Sequence, residues 1–249
     1  PLKGKVKLPL YRALYLDKLL EKNEDIYSNR DIYFRELVKN FKTVKDADFE
    51  VPDSLRKIMR GYQRMGYRWL RMLEEYGMGG ILADDMGLGK TLQVIAVLLA
   101  AKQEGGKGVS LVVTPASLVY NWGEELQRFA PELTSCTITG SQEERAEKLC
   151  HYKDYDVILT SYDLLKRDIA EYEGKEFHYQ IIDEAQYIKN HSTAAAKAVK
   201  AVQSRTRYAL TGTPIENRLS ELWSIFDYLM PGYLYGYEVF RNDFEAPIV

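Results

Sequence analysis

The spacing of hydrophobic positions changes at about residue 53. Before it, Leu10–Asn23 and Asp31–Phe41 have the spacing of short amphipathic helices, and both are rich in Lys, Glu and Tyr. A charged linker, Val44–Pro52, follows and ends in proline. Since this region contains no glycine-rich loop and no strand-like run, we expect residues 1–52 to be a helical accessory segment or the end of a preceding domain.

From residue 53 to residue 249, short apolar runs alternate with amphipathic stretches. The apolar runs predict strands at Gly80–Ala83, Ser110–Thr114, Ser135–Thr139, Asp156–Thr160, Tyr179–Asp183 and Tyr208–Leu210. The amphipathic stretches predict helices at Arg60–Tyr76, Lys90–Glu104, Leu118–Phe129, Glu143–His151, Tyr162–Ala170, Thr193–Gln203 and Leu219–Met230.

This alternation predicts right-handed βαβ units and an α/β fold with a mostly parallel sheet between layers of helices. In such a sheet, ligands bind beyond the carboxyl ends of the strands. The loops that follow strands are therefore the places where chemistry is expected.

Composition limits the classes of partner. The 249 residues are 46% hydrophobic and carry a net charge of −2, so any contact with nucleic acid must come from local patches. Cys136 and Cys150 lack CxxC spacing and are interpreted as free thiols in a reducing cytosol. The longest apolar run, Val94–Ala101, is far shorter than the roughly 20 residues of a membrane helix. Because the chain starts at Pro1, we expect it to be a piece of a longer protein.

A glycine-rich loop separates the first predicted strand from the helix after it. Its residues are Asp84, Asp85, Met86, Gly87, Leu88, Gly89, Lys90 and Thr91. Glycines let backbone N–H groups turn toward an anion, and the helix N-terminus adds partial positive charge. Lys90 would then reach the β- and γ-phosphates of ATP, and the Thr91 hydroxyl would bind Mg²⁺. Asp84 stands where the strict GxxxxGK[ST] pattern has its first glycine, so a helix start with a chance Gly-Lys-Thr is the alternative.

A later apolar strand ends in two carboxylates, Asp183 and Glu184. A parallel sheet would place them beside the phosphate loop, where Asp183 can hold Mg²⁺ and Glu184 can orient and deprotonate the attacking water. Taken alone, the pair would equally suit a solvated turn. The sequence lacks the Asn-Lys-x-Asp of guanine-nucleotide proteins and the Leu-Ser-Gly-Gly-Gln signature, which disfavours those families.

These two motifs and the segments around them resemble the Swi/Snf family of DNA-dependent ATPases. Ile81–Thr91 is similar to the family's phosphate loop, which tolerates aspartate at position 84. Met59–Gln63 resembles its adenine-recognition segment. The resemblance implies a RecA-like P-loop ATPase lobe with a three-layer sandwich, in which Arg60 and Gln63 belong to the nucleotide site and Gln63 hydrogen-bonds the adenine edge.

Three further segments resemble family motifs. Val113–Leu118, with Asn121 and Trp122, is similar to the first DNA-contact motif, Leu159–Tyr162 to the second, and Leu210–Asn217 to the coupling motif. The resemblance implies DNA contacts at Thr114, Pro115, Ser117, Asn121, Thr160, Ser161 and Tyr162, and coupling roles for Thr211, Gly212, Thr213 and Asn217. Taken singly, the Thr-Pro-Ala-Ser segment could be only a helix start, and Trp122 only a core residue.

One position departs from the family pattern. Family members most often have His after Asp-Glu-Ala, and this chain has Gln186, which forms hydrogen bonds but cannot carry a proton charge. The candidate catalytic residues are therefore Lys90, Asp183, Glu184 and Gln186, with Thr91 and Asp183 as metal ligands.

The resemblance implies an ATPase that uses ATP and Mg²⁺, translocates on double-stranded DNA and remodels or displaces bound proteins. A second RecA-like lobe of the same polypeptide would supply arginine fingers, so the first lobe alone is expected to be nearly inactive. The linker before Leu55 suggests a bacterial member acting in the cytoplasm, at the nucleoid.

Two other functions remain open at this point. An RNA helicase of the same superfamily would usually carry Ser-Ala-Thr in its coupling motif, where this chain has Thr211–Pro214. A non-enzymatic nucleotide-binding scaffold is disfavoured by the intact Lys90, Asp183 and Glu184.

Overall fold

The computed structural model describes residues 49–106 and 108–247. The two helices expected at Leu10–Asn23 and Asp31–Phe41 lie outside these residues. Among the described residues, every helix is too short or too polar to span a lipid bilayer.

Parallel strands form a sheet at the centre of the described chain. They are β1 (Gly80–Leu82), β2 (Ser110–Thr114), β3 (Ser135–Thr137), β4 (Val157–Ser161), β5 (Glu176–Ile182) and β6 (Gln203–Leu210). Their order is β1-β6-β5-β2-β4-β3, and each neighbouring pair is parallel. The expected α/β fold with a parallel sheet is therefore confirmed, and the order brings the loops after β1, β6 and β5 next to one another.

Helices connect the strands. They are α1 (Asp53–Arg56), α2 (Gly61–Glu75), α3 (Lys90–Gln103), α4 (Val119–Phe129), α5 (Gln142–Cys150), α6 (Tyr162–Arg167), α7 (Ala194–Ala201), α8 (Leu219–Leu229) and α9 (Tyr237–Phe240). Single 3₁₀ turns cover Ala116–Leu118, Tyr152–Asp154, Ile169–Tyr172 and Ala185–Ile188, and a π-helical turn covers Arg241–Glu245.

Both faces of the sheet are covered. Every residue of β2 and β4 is buried, which requires packing on each side because successive side chains point to opposite faces. Residues 92–101 of α3 are likewise all buried, so this helix is enclosed by its neighbours. The site at the end of β1 is thus built on a helix and a strand that have little freedom to move.

The element boundaries differ from the sequence prediction in β5 and β6. β6 begins at Gln203, which the sequence analysis assigned to the helix Thr193–Gln203. β5 begins at Glu176 rather than at Tyr179. The first half of β6 is polar and partly exposed, so its hydrophobic pattern does not show a strand. Pairing with β5 and burial of its second half, Tyr208–Leu210, decide the structure there.

Candidate functional site

The glycine-rich loop has the backbone geometry of an anion-binding loop. Gly87 and Gly89 have φ of 81° and 75°, in the left-handed region, and α3 begins directly after Gly89. A Cβ added at Gly89 would lie 2.5 Å from the side-chain nitrogen of Gln63, so neither the backbone nor the space admits another residue there. The loop is therefore fixed by local conformation and by the helix packed against it.

Lys90 turns back into the loop. Its ammonium group donates to the carbonyl oxygens of Asp84 at 2.7 Å and Asp85 at 3.2 Å. Thr91 follows in the first turn of α3 and is partly exposed to the same cleft. A cation, a hydroxyl and a helix N-terminus thus converge, which fits the phosphates of a nucleotide and a metal ion beside them.

The departure at Asp84 has a structural explanation. Gln93, which is fully buried in α3, donates its side-chain N–H to the Asp84 carboxylate at 2.8 Å. Gly66 of α2 gives Gln93 its space, because a Cβ at that position would lie 1.9 Å from the Gln93 side-chain oxygen. The aspartate is therefore held by a neighbouring helix and does not disrupt the loop.

Gln63 supports the loop from α2. It is 7% exposed; its side-chain oxygen accepts from the Arg60 N–H at 2.8 Å, and its side-chain nitrogen donates to the Leu88 carbonyl at 3.0 Å. The Tyr62 hydroxyl donates to the same carbonyl at 3.1 Å. The structure thus links the segment Met59–Gln63 to the phosphate loop, while the adenine contact of Gln63 and the nucleotide role of the exposed Arg60 stay predictions.

A cleft of about 270 Å³ opens beside the loop. It is lined by Met86, Gly87, Gly89, Lys90, Thr91, Leu118, Asn121, Trp122, Glu125, Asp183 and Glu184. Residues predicted from three separate motifs therefore share one cleft.

Asp183 is held rigidly at the end of β5. One carboxylate oxygen accepts from the Trp122 indole N–H at 2.9 Å, and the other from the Glu184 backbone N–H at 2.9 Å. Burial raises the pKa of Asp183, and these hydrogen bonds and the positive charge of Lys90 oppose that rise. Such a buried, oriented carboxylate suits a metal ion, with Thr91 as the second predicted ligand.

Glu184 has an unusual backbone. Its φ of 52° and ψ of 57° lie in the left-handed region, which costs energy for a residue with a Cβ and which the surrounding contacts must impose. Its carboxylate accepts from the Gln186 side-chain N–H at 2.6 Å. This conformation directs the candidate base into the cleft.

The Gln186 side chain continues to the coupling motif. Its oxygen accepts from the Thr211 hydroxyl at 3.0 Å, and the Thr211 oxygen accepts from the Thr213 backbone N–H at 3.1 Å. A continuous chain of hydrogen bonds therefore runs from Glu184 to the segment after β6. Gly212 lies beside the phosphate loop, since a Cβ there would be 3.6 Å from the side chain of Met86.

Glu125 lines the cleft and was missed by the sequence analysis. It lies one turn after Asn121 and Trp122 on α4. Burial and the nearby negative charge of Asp183 raise the pKa of Glu125. Helical spacing puts it on the same face as those two residues, but that spacing does not say which face turns toward the cleft.

The predicted DNA-contact residues divide by exposure. Thr114, Pro115, Thr160, Ser161 and Tyr162 are buried, whereas Ser117 and Asn121 are exposed. Ser161 instead caps α6 by accepting from the Leu164 N–H at 3.2 Å. Thr114 and Thr160 are both 0% exposed in this structure, and their DNA contacts stay predictions. Contact through the exposed residues stays a prediction, as does the coupling role of the exposed Thr213 and Asn217.

Comparison with known proteins identifies similar families and a similar solved structure. The SNF2-related domain model matches residues 62–249, and the model described as bacterial SNF2 helicase associated matches residues 2–52. The SWI2/SNF2 ATPase core of Sulfolobus solfataricus, solved in complex with dsDNA, is 48% identical with a TM-score of 0.70, over 76% of this chain and 39% of that one.

Curated proteins with similar sequences include ATP-dependent helicases and TATA-binding protein-associated factors. An ATP-dependent helicase of Mycoplasma genitalium is 45% identical over 75% of this chain and 18% of its own length. The TATA-binding protein-associated factor MOT1 of Saccharomyces cerevisiae is 38% identical over 82% of this chain and 12% of its own length. The chain therefore spans less than a fifth of each of these two relatives.

Proposed function

Because the chain belongs to the SNF2-related family, we propose that it is the ATP-binding lobe of a motor that hydrolyses ATP to translocate on double-stranded DNA and to remodel or displace proteins bound there. One observation carries the proposal furthest. Three segments of the site follow adjacent strands: the phosphate loop follows β1, the Asp183–Glu184 pair follows β5, and the coupling segment follows β6. Hydrogen bonds through Gln186 join Glu184 to the coupling segment.

The residues of the cleft divide the chemistry among them. Lys90 and the loop amides would hold the phosphates, while Thr91 and Asp183 would hold Mg²⁺. When bound, Mg²⁺ neutralises charge on the phosphate oxygens. The Glu184 carboxylate would orient the attacking water and accept its proton, since it is directed into the cleft and held there by Gln186.

A second RecA-like lobe completes this site in our proposal. Among the described residues that line the cleft, only Lys90 has a positively charged side chain. An arginine finger supplied by another lobe accelerates phosphoryl transfer by about 10³–10⁵. The chain alone should therefore bind ATP weakly and hydrolyse it slowly.

Double-stranded DNA is the proposed track. The related Sulfolobus core was solved with dsDNA. In this chain, Ser117 and Asn121 present an exposed hydroxyl and amide near the start of α4. Such groups suit phosphate oxygens and carry no information on base sequence. The match of residues 2–52 to a bacterial family supports a place in the bacterial cytoplasm, at the nucleoid.

ATP turnover by a two-lobe protein containing this chain tests the proposal. We expect double-stranded DNA to stimulate turnover more than single-stranded DNA or RNA does. Stronger stimulation by RNA would favour an RNA helicase, and no turnover with any nucleic acid would favour a nucleotide-binding scaffold.

A further inference from the structure

Asp183 accepts a hydrogen bond from each of the two segments proposed to contact DNA. The Trp122 indole N–H donates to its carboxylate at 2.9 Å, and the Tyr162 hydroxyl donates to its backbone carbonyl at 2.8 Å. Trp122 lies on α4, which follows β2, and Tyr162 begins α6, which follows β4. The two segments thus meet at one residue of the ATP site.

We propose that Trp122 and Tyr162 are positioning residues that fix the metal-binding carboxylate of Asp183 and transmit DNA contact to it. This inference rests on the proposed function and adds the path by which DNA regulates the site. Donors that hold a metal-binding carboxylate set its direction, and removing such a donor typically weakens metal binding about 10- to 100-fold.

The geometry of Trp122 suits this role. Its side chain is 1% exposed, so the indole cannot change its direction without a movement of α4. Asn121, next to it on the same helix, is exposed. If DNA binding at Asn121 shifts the backbone of α4, it would therefore also move the Trp122 indole N–H that donates to Asp183.

Tyr162 reaches the same residue from the other side. Its ring stacks on Tyr187 with centroids 5.0 Å apart and planes within 4°. Tyr187 belongs to the 3₁₀ turn Ala185–Ile188 that follows Glu184. The start of α6 is thus packed against both ends of the Asp183–Glu184 segment.

Substitutions that remove only the donor test the inference. Trp122→Phe keeps an aromatic ring and removes the indole N–H, and Tyr162→Phe removes only a hydroxyl. Trp223→Phe is the matched control for the first, because the Trp223 N–H donates to the Tyr235 carbonyl, away from Asp183. Tyr228→Phe is the control for the second, because the buried Tyr228 hydroxyl donates to the Gln180 carbonyl on the same strand.

The first measurement is the Mg²⁺ concentration needed for half-maximal binding of a fluorescent ATP analogue by the chain. We expect Trp122→Phe to raise it about 10- to 100-fold. Tyr162→Phe should raise it about fivefold, since one hydrogen bond contributes about 1 kcal/mol and 1.36 kcal/mol is a factor of ten. Both controls should match the unsubstituted chain. Mn²⁺, which carboxylates bind readily, should restore binding to the two variants.

The second measurement is the stimulation of ATP turnover by duplex DNA in a two-lobe protein. We expect both variants to lose most of this stimulation, while the DNA affinity of Trp122→Phe stays within about twofold. Normal Mg²⁺ dependence and normal stimulation in Tyr162→Phe would overturn the inference, even if Trp122→Phe fails to fold. Lys90→Ala is measured in parallel. If Lys90→Ala turns over ATP at the normal rate, the proposed function itself fails. If Lys90→Ala is inactive while Trp122→Phe and Tyr162→Phe behave normally, only this inference fails.

Discussion

The Gln186 side chain donates a hydrogen bond to the Glu184 carboxylate at 2.6 Å. The same amide accepts a hydrogen bond from Thr211 at 3.0 Å. The position where the chain departs from the family's usual His is thus the link between the candidate base and the coupling segment. An amide can serve both partners at once because it carries a donor and an acceptor.

Gln186→Ala should lower ATP turnover about 10- to 100-fold in a two-lobe protein. A hydrogen bond to a charged group contributes about 1.5–3 kcal/mol, and each 1.36 kcal/mol on the barrier is a factor of ten. Nucleotide affinity should change little, because Gln186 does not line the cleft. Steady-state kinetics and equilibrium binding separate the two effects. Gln186→His, which restores the usual family residue, should keep most of the activity, and a loss as large as that of alanine would contradict a linking role.

Lys90→Ala should abolish ATP turnover and weaken nucleotide binding. Lys90 is the cation at the centre of the phosphate loop, where it contacts two loop carbonyls. A coupled phosphate-release assay measures turnover. Lys102→Ala is a suitable control, since Lys102 lies at the far end of α3 and pairs with Asp156. Turnover near that of the unsubstituted protein would reject the assignment of the loop.

Glu184→Gln should retain ATP–Mg²⁺ binding and lose hydrolysis. The substitution keeps the size of the side chain and removes the proton-accepting carboxylate. Asp183→Asn should instead raise the Mg²⁺ requirement for binding, since it removes a negative charge from the metal site. Titrations with a fluorescent nucleotide at several Mg²⁺ concentrations distinguish the two. Loss of binding in folded Glu184→Gln would show that its role is different.

Gly66→Ala should destabilise the protein by about 1–3 kcal/mol, the usual range for overpacking. The added methyl group would lie 1.9 Å from the Gln93 side-chain oxygen and would displace the residue that holds Asp84. Nucleotide affinity should fall with stability. Gly61→Ala, on the same helix, is the control because nothing lies within 4 Å of its Cβ position. Thermal unfolding compares the two variants, and equal midpoints would contradict this account of Gly66.

DNA binding by a two-lobe protein should be independent of base sequence and should weaken steeply with salt, because phosphate contacts release counterions. The chain alone should bind feebly, since its net charge is −2. Fluorescence anisotropy with random duplexes between about 50 and 200 mM salt measures both effects. Ser117→Ala combined with Asn121→Ala should reduce affinity for all duplexes alike. Tight, salt-insensitive or sequence-selective binding by residues 1–249 would contradict the proposed mode of contact.

The sequence by itself determined the elements whose signals are local. The glycines and the Gly-Lys-Thr helix start located the phosphate loop, because the positive φ at Gly87 and Gly89 is a local conformation that favours glycine. Most strands and helices followed from hydrophobic spacing for the same reason. The sequence analysis did not predict the polar first half of β6 as a strand, because its structure depends on pairing with β5 rather than on its own hydrophobic pattern.

Tertiary structure decided which side chains face one another. The Trp122–Asp183 hydrogen bond joins residues 61 positions apart, and the Asp84–Gln93 contact depends on the absence of a side chain at Gly66. Burial of Thr114 and Thr160 likewise follows from helices packed over both faces of the sheet, which no local pattern reveals. Side-chain partners are set by the order of strands and by the rotation of each helix about its axis, and both are fixed only when the whole core packs together.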